Sequence, residues 1–342
     1  MPDLSVIIPV YNRGEMIRYT LESVDRAARG LEVETIVVDD GSTPPTEEVL
    51  ETLGWKPTVL IRQENQGLLF ARLAGLKQAT GKYVVFLDSD DLVAPEKFRL
   101  QLAAMESSGA EVSYSDTAQC RLEGGYDQLK PVPGVVEPDF RTSAPFFIQV
   151  QPAPHSPIFR TAYVQAIVAQ PFFPPSALYN PVAEIWFYHN AAPKPARVVK
   201  VPGFLTIVGV HAGARLTNHW ERLGIASLAV MEAFARSVPA DAATAEAREL
   251  VGNKAFTSWR KLPKGFSGEI CERHVRLWRT LSSHRPGPLG GASFVAAARL
   301  LGPETAGRLF RWRQNQPYRA CRTMTDEALE ALLRKLPEPS TP

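Results

Sequence analysis

Two groups of carboxylates are conspicuous for where they fall. Asp39-Asp40 follows the apolar run Glu34–Val38, and Asp88-Ser89-Asp90-Asp91 follows Tyr83–Leu87. Carboxylates gathered at strand ends repel one another unless a positive charge joins them. Mg²⁺ or Mn²⁺ suits that task, because each takes one or two protein carboxylates and completes its shell with water and phosphate oxygens. Asp88 and Asp90 stand at i and i+2, so on an extended strand end both project to one side and can share a cation. A lone Asp-x-Asp is more often a solvated turn or a helix cap. A position after a buried strand, with a second acidic pair ending another, favours the metal-binding reading.

The surrounding pattern supplies those strands. Leu4–Val10 is a continuous β-branched run, as expected of a strand buried on both faces of a parallel sheet. A helix is expected over Glu15–Ala28, with Ile17, Leu21 and Val24 on one stripe. Thr43 is placed to cap a second helix that carries Glu47 and Glu48 in its first turn. Thr58–Ile61 reads as a third strand, and Leu68–Ala79 as a helix stopped by Gly81. Repeated strand–helix–strand units imply a doubly wound α/β sheet, in which ligands sit outside the carboxyl ends of the strands. Both acidic clusters fall at that edge.

Other nucleotide-binding signatures fail. No GxGxxG follows the first strand, and Gly75–Tyr83 lacks both the spacing and the hydroxyl of a phosphate-binding Walker loop. A Rossmann dehydrogenase and a P-loop NTPase are therefore disfavoured.

The residues that carry these features resemble family 2 glycosyltransferases of the GT-A fold. The resemblance rests on Ser5–Arg13 (SVIIPVYNR), Ile36–Thr43 (IVVDDGST), Asn65-Gln-Gly67 with Ala71-Arg72, and Gly81–Asp91 (GKYVVFLDSDD). It is close over about 4–115 and weaker to about 220. It implies a GT-A-type doubly wound, mostly parallel sheet flanked by helices, with a helical C-terminal appendage. It also implies inverting transfer from a nucleotide-diphosphate sugar, UDP-linked by preference, to an acceptor hydroxyl, as in cell-surface polysaccharide synthesis. Carried over by position, Pro9 and Tyr11 lie along the base and ribose. Asp40 hydrogen-bonds the base, Arg72 lies near the diphosphate, Asp88 matches the ribose and sugar side, and Asp39 and Ser89 count among the nucleotide-sugar-binding residues. Asp90, with Asp88, holds the Mg²⁺ or Mn²⁺.

Inversion requires a base on the opposite side of the sugar from the leaving group. The family's acidic pair at the start of a helix falls on Ala183–His189 (AEIWFYH), where Glu184 fits the first acidic position but Ile185 replaces the second. Glu184 is the expected base, with Glu137, Asp139 and His189 as lesser candidates. The departure at Ile185 keeps a second reading open, a catalytically inactive sugar-nucleotide-binding or scaffold protein. Val208–Thr217 resembles a segment near the donor phosphates, which makes His211 a metal ligand or phosphate contact and Arg215 a phosphate contact.

The chain has 342 residues, 45% hydrophobic and 22% charged, an ordinary globular composition. The expected division is a transferase domain over 1–222, with donor half 1–115 and acceptor half 116–222. A helical region over 223–336 and a flexible tail over 337–342 follow. From Val251 onward 16 Lys/Arg stand against seven Asp/Glu, while the first 250 residues carry 22 against 29. Trp259, Trp278 and Trp312 lie among those arginines. This basic-aromatic character suggests peripheral docking on an anionic membrane face, where a carbohydrate or lipid-linked acceptor waits, or else a packed cap whose arginines pair internally. Nucleic acid is not an expected partner. Cys120, Cys271 and Cys321 have no metal-site spacing, and neither a leader nor an 18-residue apolar run is seen, so the expected setting is cytoplasmic.

Overall fold

The structure, a computed structural model, describes residues 1–14, 16–211 and 219–338. The chain packs as two compact units. One comprises Met1–Phe146, Val150–Pro171 and Pro195–Gly213; the other comprises Phe147–Gln149, Phe172–Lys194 and Ala214–Pro342.

The first unit is a mixed α/β layer. Its parallel part is built from β1 (Leu4–Val10), β2 (Val33–Asp39), β3 (Val59–Arg62) and β4 (Tyr83–Phe86), in the order β3-β2-β1-β4. Every residue of β1 is buried, as an apolar run between two helical layers requires. Helices α1 (Ile17–Ala27), α2 (Thr46–Thr52) and α3 (Leu68–Gln78) connect these strands. The Ile17, Leu21 and Val24 stripe of α1 is buried with Val6, Ile8 and Val85, and Phe98 and Met105 of α4 (Lys97–Ser108) join the same core. Full burial of each such side chain contributes about 1.5–3 kcal/mol.

Beyond β4 the sheet changes direction. β8 (Ile158–Arg160) runs antiparallel to both β4 and β6 (Val112–Arg121), and β6 then pairs in parallel with β9 (Val198–Val210). β5 (Leu92–Val93) and β7 (Val132–Val135) add antiparallel to β9 and β6 respectively. Among the described residues the nine strands form one sheet, with the donor-side pairings all parallel and the far side mixed.

One expected detail differs. Thr43 does not cap α2; the N-cap is Pro45, and the Thr46 amide instead donates to Asp39 Oδ2 at 3.1 Å. A helix start needs an acceptor rather than a particular neighbour in sequence, and the strand-end carboxylate provides it.

The second unit is helical. It includes Ala183–Ala191, Trp220–Ser237, Ala245–Lys261, Gly268–Leu281, Ala292–Leu301, Pro303–Gln314 and Asp326–Leu333. Between Trp220–Ser237 and Ala245–Lys261 the chain breaks at Val238-Pro239, where proline removes a donor and restricts the residue before it. Phe256, Trp259, Trp278 and Phe294 form an aromatic core. Arg273 is buried against Glu232 with two hydrogen bonds, Nε at 2.8 Å and Nη2 at 2.6 Å. Trp259 and Trp278 are therefore interior, and much of the basic-aromatic signal in the sequence is packing.

Candidate functional site

The parallel register puts the carboxyl ends of β1 and β2 side by side, with Val10 opposite Asp39, while Ile7 of β1 lies opposite Phe86 of β4. The loops that follow these strands are stitched together. Asn12, at φ 52°, accepts from the Thr43 amide at 2.9 Å, and its own amide donates to Ser42 Oγ at 3.1 Å. Pro9 is buried in β1, while Tyr11 just beyond it is half exposed, an aromatic face left open at the strand-end edge.

Asp39 and Asp40 divide the work at the end of β2. Asp39 accepts from the Ser42 amide at 2.8 Å as well as from Thr46. Burial pushes its carboxyl up, but the hydrogen bonds from Ser42 and Thr46 outweigh burial and hold it below the usual range. Asp40 accepts from Gln63 Nε2 at 2.8 Å, the Gln66 amide at 2.9 Å and the Gly67 amide at 2.8 Å. Gly67 sits at φ 92°, open to glycine at little cost, and from there α3 begins and carries Arg72 inward.

The second acidic cluster is a turn. β4 ends at Phe86, and the Asp91 amide donates to the Asp88 carbonyl at 3.0 Å. Asp88 and Asp90 are thus not alternate residues of an extended strand, and the turn sends them to different partners. Asp88 Oδ1 lies 2.6 Å from Arg72 Nη2, whose side chain is almost wholly buried. Burial raises the Asp88 carboxyl; Arg72 opposes this, and the Asp91 and Asp90 charges add to it. Asp90 Oδ2 lies 3.0 Å from His211 Nε2 and 3.6 Å from Arg13 Nε. Asp91 Oδ1 accepts from the Gly209 amide at 2.9 Å, and its Oδ2 lies 3.1 Å from the buried His155 Nδ1. Ser89 is buried within the turn.

β9 reaches this turn because Gly209 has no side chain. A Cβ there would stand 1.9 Å from the Asp90 carbonyl oxygen, so only glycine lets the strand pass and present His211 beside Asp90. The sequence-predicted residues Arg72, Asp88, Asp90 and His211 are in this way brought together from α3, the β4 turn and the end of β9. Arg13, His155 and Gly209 were not anticipated. Arg13 was within reach of sequence reasoning, since a cation three residues beyond β1 lies at the same edge as the carboxylates.

Among the described residues no group of three or more His, Cys, Asp or Glu side chains forms a ready metal cage. The donor set nevertheless suits a hard divalent ion. Asp90 and His211 supply a carboxylate oxygen and an imidazole nitrogen, and Mg²⁺ or Mn²⁺ leaves most of its shell to phosphate oxygens and water.

Glu184 lies in the first turn of Ala183–Ala191, within the second unit, whereas the aspartates belong to the first. His189 on the same helix is buried, with Nδ1 donating to the Ile185 carbonyl at 2.9 Å, so it is a packed histidine and not an accessible base. Glu137 is only partly buried; burial raises its carboxyl, and the Asp116 charge adds to that. Asp139 is exposed and paired with Arg141 at 2.6 Å. Arg215 lies outside the described residues.

The first unit thus carries acidic turns where its parallel strands β2 and β4 end. Residues 5–162, a little under half of the chain, match the family model described as Glycosyl transferase family 2, and this part of the chain belongs to that family. A Haemophilus influenzae uncharacterized glycosyltransferase is 34% identical over 146 residues, 42% of this chain and 57% of that protein. The putative teichuronic acid biosynthesis glycosyltransferase TuaG of Bacillus subtilis is 37% identical over 127 residues, 36% of this chain and 50% of that protein. The chain thus spans little more than half the length of these relatives. Its fold is similar to that of S. aureus TarS 1-349 in complex with UDP-GlcNAc, with a TM-score of 0.65 at 20% identity, covering 92% of this chain and 93% of TarS 1-349. Mannosyltransferase PcManGT of Pyrobaculum calidifontis, in complex with GDP-Man and Mn²⁺, gives 0.56 at 15% identity, covering 98% of this chain and 86% of that one. These two likenesses bear on the fold, a GT-A-type α/β sheet with a helical C-terminal region.

Proposed function

We propose that the chain transfers a sugar, with inversion, from a nucleotide-diphosphate donor to an acceptor hydroxyl. The observation that carries this reading is the meeting of Asp88–Arg72 and Asp90–His211 at one edge of a family 2 α/β unit. Tyr11 offers a face for the base, and Asp40 orders the loop beneath it. Arg72 fixes Asp88 toward the ribose and sugar, while Arg13 lies beside Asp90, where diphosphate charge would be met.

Asp90 and His211 would hold the Mg²⁺ or Mn²⁺, which supplies Lewis-acid neutralisation of the departing diphosphate. Support for a nucleotide-sugar donor comes from the complexes formed by TarS and PcManGT, and for a divalent ion from the Mn²⁺ of the latter. Glu184 is the proposed base that takes the acceptor proton. The acceptor class we infer is a carbohydrate or lipid-linked hydroxyl, in keeping with relatives named for succinoglycan and teichuronic acid synthesis. Among the described residues no helix is long and apolar enough to cross a membrane. From the three scattered free cysteines we infer a cytoplasmic setting, with any membrane contact peripheral at the inner face.

The test is a panel of UDP- and GDP-sugars with Mn²⁺, read by thermal shift and by donor hydrolysis. One donor class should raise the melting temperature and be hydrolysed slowly, and Asp90→Ala should abolish both effects. A panel in which no nucleotide sugar binds would end the transferase reading. Binding without turnover on any acceptor would favour the inactive scaffold, the alternative that Ile185 keeps open.

A further inference from the structure

A soluble surface normally scatters its exposed apolar side chains singly. Here four of the ten large hydrophobic residues that are exposed among the described residues fall within thirteen positions of the second unit. They are Leu300 (85% exposed), Leu301 (51%), Leu309 (48%) and Trp312 (70%).

Two helices of one hairpin carry them. Ala292–Leu301 ends at Gly302, whose φ of 79° turns the chain directly into Pro303–Gln314. The second helix packs inward through Ala306, Gly307 and Phe310: a Cβ on Gly307 would stand 2.3 Å from the Trp259 ring, and Phe310 stacks edge-on to Phe294 at 5.3 Å. At 100° per residue the opposite face is Arg308, Leu309 and Trp312. Trp312 therefore points away from the aromatic core that takes in Trp259 and Trp278.

The charge around this face has one sign. Between Ala292 and Gln314 the chain has Arg299, Arg308, Arg311 and Arg313 against the single acid Glu304. Glu304 is engaged by Arg279, with Nη2 at 2.6 Å. Arg311 is turned inward, donating to the Leu262 and Pro263 carbonyls at 3.3 and 3.1 Å. Arg299, Arg308 and Arg313 are exposed beside the leucines and the tryptophan.

We propose that the Ala292–Gln314 hairpin is a docking surface for an anionic lipid bilayer. Trp312, Leu309, Leu300 and Leu301 enter the headgroup boundary, and Arg299, Arg308 and Arg313 meet the lipid phosphates. The chemistry on both sides matches. Tryptophan and leucine gain from leaving water at an interface, tryptophan keeps its N–H wet, and arginine pairs bidentately with phosphate while its stem lies on apolar surface. Apart from Glu304, which Arg279 holds, the charges of the hairpin are basic, and a phosphate-bearing lipid surface complements them. This surface does not depend on the donor chemistry, so its failure would leave the transferase reading intact.

Flotation of the full chain with vesicles of phosphatidylcholine, with or without phosphatidylglycerol, tests the proposal. The protein should float with the anionic vesicles and remain behind with the neutral ones, and high salt should weaken the flotation. Leu300→Ser with Trp312→Ser should reduce the floated fraction on the order of tenfold or more. Arg308→Glu with Arg313→Glu should do the same, whereas Arg311→Lys and the exposed Val132→Ser with Val135→Ser, on β7, should change little. All of these positions but Arg311 are exposed, and thermal melts near wild type would show that the fold is kept. Flotation insensitive to the Leu300/Trp312 pair, or no flotation of the wild type, would overturn the proposal. So would a dimer in light scattering that the same pair dissociates, since a second copy would then be the occupant.

Discussion

His211 Nε2 stands 3.0 Å from Asp90 Oδ2 although 121 positions separate the two residues. The role proposed for this imidazole and carboxylate is to hold the divalent ion together. Asp90→Ala should therefore abolish Mn²⁺-dependent binding of UDP in calorimetry and lower turnover by on the order of 10²–10³. His211→Ala should weaken the ion's affinity about 10–100-fold, with turnover recovering as Mn²⁺ is raised. Unchanged affinity for the metal–nucleotide complex in Asp90→Ala would remove that residue from the site.

The strand that delivers His211 depends on a missing side chain. With an alanine Cβ at position 209 the Asp90 carbonyl oxygen would be 1.9 Å away and the Leu122 side chain 2.8 Å away. Backbone cannot yield as a side-chain tip can, so either β9 or the Asp88–Asp91 turn must move. Gly209→Ala should cost about 1–3 kcal/mol in urea unfolding and should also lose donor binding, because the displaced turn carries Asp90. Wild-type affinity for UDP with Mn²⁺ would mean that the turn tolerates the shift and that its position is not what fixes the site.

Much of this arrangement was legible in the sequence, for physical reasons that differ by residue. Leu4–Val10 announced itself because burial on both faces leaves a nearly continuous apolar run, and the carboxylates at the ends of β2 and β4 stood out because they interrupt such runs abruptly. The geometry of Asp88 and Asp90 was not legible: the two-residue alternation holds only for extended chain, and a turn hydrogen bond to the Asp88 carbonyl replaces it. Nor was the His155–Asp91–Gly209 contact, which joins a loop, a turn and β9 across long stretches of chain and leaves no periodic trace. Trp259 and Trp278 misled for the converse reason, since arginine neighbours in sequence say little about which way a helix faces.

Two buried histidines of the second unit tie stability to pH. Burial pushes His189 and His274 down to about 4 from the ordinary 6.5, against the small upward pull of hydrogen bonds to the Ile185 and Ile270 carbonyls. The fold therefore holds both neutral. Their contribution is complete above about pH 6.5 and is lost as pH falls toward 4, because the unfolded chain takes up protons that the fold refuses. A tenfold difference in proton affinity is worth about 1.4 kcal/mol, so each group costs on the order of 3 kcal/mol by the acid end of that window. Urea midpoints should fall steeply across it, and His189→Asn with His274→Asn should flatten the slope. A double variant with the wild-type slope would assign the acid sensitivity to other groups.

Glu184 lies in the first turn of the Ala183–Ala191 helix, a position where an acidic side chain steadies a helix. That alone would make it a structural carboxylate, and only the chemistry separates this role from that of a base. Glu184→Gln keeps the size and the hydrogen-bonding reach while removing the proton acceptor. If Glu184 takes the acceptor proton, turnover should fall by on the order of 10²–10⁴ with donor affinity unchanged. If it only ends a helix, the same substitution should lower the melting temperature slightly and leave kcat near wild type. Measuring kcat and the melting temperature on one preparation distinguishes the two, because a base and a first-turn helix carboxylate move different quantities.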